Sequence, residues 1–118
     1  MEGTRTSPFA ATPEERKSLE EIELIKVERE IAELELKLAE IDTAIKKNEL
    51  EISKEYLREH TGEISNEEYQ AIKEKNEAEI KKLTQKAKEI IKEKWEKLEL
   101  AKKMRLEVAG SSDGDMSV

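Results

Sequence analysis

From Leu24 to Ile52 the apolar residues return at alternating steps of three and four: Leu24, Val27, Ile31, Leu34, Leu38, Ile41, Ile45, then Asn48 and Ile52. This is the heptad spacing of a helix that packs along one seam against another helix. A second run passes through Ile72, Asn76, Ile80, Leu83, Ala87, Ile90 or Ile91, Leu98 and Ala101. It drifts near Lys94 and Trp95, as a stutter or an eleven-residue repeat would make it drift.

Local signals bound both runs. In "TPEE", Thr12 is placed as an N-cap, Pro13 as the first helical residue and Glu15 as the third, which completes a capping box. Lys54, Arg58 and His60 load the end of that helix with positive charge, and Gly62 supplies a left-handed stop. In "ISNEEY", Ser65 and Glu68 form a second capping box, with Ile64 and Tyr69 at the positions of a hydrophobic staple. Near the far end, Lys102, Lys103 and Arg105 precede Gly110. The pattern therefore predicts helices over 13–60 and 66–109, joined by a turn at 61–65. Residues 1–11 are expected to be a flexible arm, and 110–118 a flexible acidic tail.

Equal helices and a short link predict an all-α antiparallel hairpin. Its register can be tested, because facing residues in such a pair keep a nearly constant sum of residue numbers. Ile52 with Ile72, Asn48 with Asn76, Ile45 with Ile80, Ile41 with Leu83, Leu38 with Ala87, Val27 with Leu98 and Leu24 with Ala101 do so. Asn48 and Asn76 fall in one layer, where a polar pair costs stability but penalises other registers, so both are assigned a register-setting role. Charge agrees with the pairing. Residues 20–44 hold nine acids and three bases, whereas 81–105 hold four acids and ten bases.

Composition fits this picture and removes much chemistry. The 118 residues are 43% charged and 3% aromatic, with net charge -7, no Cys and one His. There is no thiolate metal site, no phosphate loop and no nucleophile elbow, and the balance is unsuited to phosphate neutralisation. His60 sits in a last turn where the helix dipole already explains it. No catalytic or metal-ligating residue is assigned, no cofactor is expected, and an enzyme is the least favoured class. The absence of a long apolar run or signal-peptide core predicts a cytoplasmic chain, or one within a particle assembled inside a cell. The run "TGEISNEEYQAIK" resembles the glycine, Ile-Ser, acidic, aromatic pattern of short helical-hairpin SHOCT-type domains.

Several apolar residues are left over by the seam. Ile22, Ile25, Ala32, Leu36, Ala39, Leu50 and Leu57 recur on the far side of the first helix, and Trp95, Leu100, Met104, Leu106 and Val108 lie off the main seam of the second. A helix with two apolar stripes has more than one helical neighbour. Ile22, Ile25, Leu36, Trp95, Leu100, Met104 and Leu106 are therefore the candidate interaction residues, grouped at the base away from the turn. The expected function is a non-catalytic coiled-coil assembly protein: a scaffold, adaptor or structural subunit of a multi-protein or viral particle. Its partners would be further copies of itself, in a dimer or larger bundle, or the helix of another protein. The alternative is an acidic regulator or inhibitor that binds another macromolecule through Glu59, Glu63, Glu67 and Glu68 at the tip or through its charged surface.

Overall fold

A computed structural model describes residues 12–113; the expected arm at 1–11 and the last residues, 114–118, lie outside the described residues. Two helices, α1 (Pro13–His60) and α2 (Asn66–Asp113), pack against each other as an all-α hairpin. Both capping boxes form. The Glu15 N–H donates to Thr12 Oγ1 at 3.1 Å, and the Thr12 N–H donates to Glu15 Oε1 at 3.0 Å. The Glu68 N–H donates to Ser65 Oγ at 3.1 Å, and the Ser65 N–H to Glu68 Oε1 at 3.3 Å. Each box satisfies two backbone donors that a helix start leaves without partners.

The turn is a Schellman closure. Gly62 has φ 83°, its N–H donates to the Glu59 carbonyl, and the Glu63 N–H donates to the Arg58 carbonyl at 2.8 Å. A hydrophobic contact often braces such a closure. Here an ion pair between Arg58 and Glu63, at 3.9 Å, takes that place.

α2 does not end at Gly110 but continues to Asp113. Glycine stops a helix when it turns left-handed. Gly110 does not, and in the helix it costs only about 1 kcal/mol relative to alanine.

The chain divides into two units, residues 33–94, which contain the turn, and residues 1–32 with 95–118, which contain both ends. The core of the turn unit is Leu34, Ile41 and Ile90, with Leu38, Ile45, Leu83 and Ala87 packed on them. The core of the end unit is Val27, Ile31 and the fully buried Ala101, with Leu24, Leu98 and Met104 around them. Ile90, not Ile91, is the seam residue, and Met104 is half-buried, packed against the core of the end unit.

Burial along α2 shows why the hydrophobic pattern drifts. Tyr69, Lys73, Asn76, Ile80, Leu83, Ala87, Ile90 and Lys94 are buried or half-buried, and so are Lys97, Ala101, Met104 and Val108. The steps of three and four persist, with lysines occupying seam positions. A lysine stem covers apolar surface while its ammonium reaches the edge, so the seam continues where the apolar residues pause. On α1, Glu55 holds the corresponding position after Ile52 and is only 8% exposed.

Cross-helix ion pairs among the described residues join Glu28 with Arg105 and Glu30 with Lys97 in the end unit, and Glu35 with Lys94 in the turn unit. Each joins a residue further toward the C-terminus of α2 than the expected pairing gives. The asparagines turn inward on their own helices. Asn48 Nδ2 donates to the Ala44 carbonyl at 2.8 Å, and Asn76 Nδ2 to the Ile72 carbonyl at 2.9 Å.

Candidate interaction surface

The side chains left on the surface are the most informative part of the molecule. In the end unit Ile22 and Ile25 project from α1, and Trp95, Leu100 and Leu106 from α2, all exposed. Ile22 and Ile25 escape burial because they lie two positions before and one after Leu24, where the helical repeat turns them away from α2. Trp95 is 62% exposed, since Lys94 fills the neighbouring seam position and pairs with Glu35 at 3.2 Å. The tryptophan thus does not plug the hairpin interior. Leu36 is exposed as well but belongs to the turn unit, with Leu50, Leu57 and Ile91. Of the seven candidate interaction residues only Met104 is half-buried, packed against the core of the end unit.

Leu19 and Tyr56 are exposed apolar positions that the sequence reading did not single out. Tyr56 stacks on His60 with centroids 6.2 Å apart and meets Tyr69 edge-on at 5.9 Å, linking the last turn of α1 to the first turn of α2. The spacing of Tyr56 and His60, four residues apart on one helix, was the available signal.

The tip is occupied by structural bonds. Arg58 Nη1 donates to both carboxylate oxygens of Glu55, at 3.1 and 2.9 Å, and Glu63 accepts a bond from the Thr61 hydroxyl at 3.3 Å. Glu68 serves the cap of α2. Among the described residues no group of three His, Cys, Asp or Glu is placed to hold a metal ion. One groove of the turn unit lies beside the seam, floored by Leu34, Ile41, Leu83 and Ile90 and rimmed by Lys37, Glu40, Lys86, Glu89 and Glu93. It contains no histidine and no hydroxyl.

No helix among the described residues is long and apolar enough to cross a membrane. No protein-family model, curated protein or solved structure matches the chain.

Proposed function

We infer that the chain is a non-catalytic coiled-coil assembly protein, a scaffold, adaptor or structural subunit that acts through helix–helix contacts in the cytoplasm or in a particle built there. One observation carries this reading: both helices keep large apolar side chains in water after the hairpin has formed, with Trp95 foremost. Tryptophan is enriched among the residues that dominate binding energy, and exposed apolar surface of this kind is covered when a partner helix docks. Of the tip carboxylates Glu59, Glu63, Glu67 and Glu68, those of Glu63 and Glu68 are engaged in folding the turn, which weighs against the tip as the working surface.

Light scattering across a concentration series tests the reading. The purified chain is expected to exceed its monomer mass of 13.6 kDa. The triple variant Ile25→Gln, Trp95→Gln, Leu100→Gln is expected to keep its helicity and lose mass, whereas His60→Ala with Glu63→Ala leaves the mass unchanged. Loss of association in the tip variant alone, with the triple variant unaffected, transfers the function to the tip.

A further inference from the structure

We propose that a second copy of this chain docks, in the turn unit, on the face of α1 turned away from α2, with the two α1 helices parallel. The proposal rests on the assembly reading and gives it a partner and an orientation. The face is a second seam. Leu36, Ala39, Thr43, Leu50, Ser53 and Leu57, with Lys46 among them, recur at the same steps of three and four as the inner seam. They are offset by two residues from Leu34, Ile41 and Asn48, about half a turn round the helix. Leu36, Leu50 and Leu57 are 61%, 56% and 61% exposed, so the hairpin leaves this seam unused.

Its polar members are prepared for burial. The Thr43 hydroxyl donates to the Ala39 carbonyl at 3.0 Å, so covering it strands no donor. The Lys46 ammonium is drawn sideways to the Asp42 carboxylate at 2.9 Å, which leaves its stem in the seam and its charge at the edge. Ala39 and Ser53 are small and admit a neighbouring backbone.

The flanks choose both partner and direction. Glu35, Asp42 and Glu49 line one edge of the face; Glu40, Lys47 and Lys54 line the other. In a parallel pair each residue of the first edge meets the residue five further on along the second edge of the other copy. Asp42 then meets the second copy's Lys47, and Glu49 meets its Lys54. Two like-charged contacts arise and are relieved: Glu35, facing the second copy's Glu40, already pairs with Lys94, and Lys46, facing its own counterpart, already pairs with Asp42. In an antiparallel pair the acidic edges face each other, with Asp42 near the second copy's Glu49 and Lys47 near its own counterpart. Among the described residues Lys47 and Lys54 make no ion pair, so both ammoniums are available to a neighbour.

The chain has no cysteine, so single cysteines report cleanly. The full-length variants Leu36→Cys, Leu50→Cys and Leu57→Cys should each form a covalent homodimer on mild oxidation, with helicity preserved by circular dichroism. Lys47→Glu with Lys54→Glu should weaken dimerisation about tenfold or more by light scattering, since two attractive contacts per edge become repulsive. Preferential crosslinking of Leu36→Cys to Leu57→Cys in a mixture means antiparallel packing and overturns the orientation while assembly stands. A dimeric mass with no crosslink at any of the three positions puts the interface on another face and overturns the proposal alone. A monomer at every concentration overturns both this proposal and the self-assembly it rests on.

Discussion

Two glycines show how one residue type acts in opposite directions. At Gly62 a Cβ would meet nothing within 4 Å, yet φ is +83°, so the obstacle to a side chain is the backbone itself. Gly62→Ala is expected to lower stability by about 1 kcal/mol in urea unfolding. Gly110 is helical and equally open, so Gly110→Ala should raise stability by about 0.5 kcal/mol, or less because the helix end frays. Glu15 gives a pH signature. Hydrogen bonds from the backbone and hydroxyl of Thr12 hold its carboxyl below the usual 4.5. A depressed folded-state pKa contributes stability above the unfolded value, lost as pH falls through the folded one. Acidification below about pH 4.5 should therefore loosen the start of α1, seen as a lower protection factor of the Thr12 amide, which donates to this carboxylate, and Glu15→Gln should abolish that pH step.

At the scale of the element, the inner seam tolerates polar residues only where their charge has an outlet. Glu55 is the hardest case, a buried carboxylate held by the half-exposed Arg58. Arg58→Ala should destabilise by about 1–2 kcal/mol, less than a fully buried pair because solvent reaches the arginine. Glu55→Leu should be neutral or stabilising, since leucine suits the position and the charge disappears. Chemical denaturation of the two variants separates these outcomes. Equal losses in both would mean that the pair, rather than the relief of a stranded charge, sets the cost.

For the whole molecule, the net charge of -7 coexists with an internal division of charge between the helices. The cross-helix ion pairs of Glu28, Glu30 and Glu35 involve partly exposed groups, each contributing about a few tenths of a kcal/mol in water. They select the antiparallel partner more than they hold it. Raising the salt to about 1 M is expected to lower unfolding stability by less than about 1 kcal/mol and to leave the helical signal in circular dichroism unchanged. A collapse of helicity in salt would mean that charge, not the apolar seam, holds the hairpin.

Helix starts, the left-handed turn, the α1 seam and the opposed charge blocks were set by the sequence alone, because each depends on residues within one or two turns or on a strict period. Thr12 with Glu15, Ser65 with Glu68, and Gly62 are examples, and each sits where the local pattern placed it. The candidate surface was legible for the same reason at Ile22, Ile25, Leu36, Leu100 and Leu106, which fall outside the period. Packing decided the rest. Lys73, Lys94 and Lys97 count as polar in any pattern, and only a neighbouring helix shows their stems lying in the seam. The same packing half-buried Met104 against the core, because which of two nearby apolar residues is buried depends on the partner helix's phase, which is not encoded in either residue's own neighbourhood.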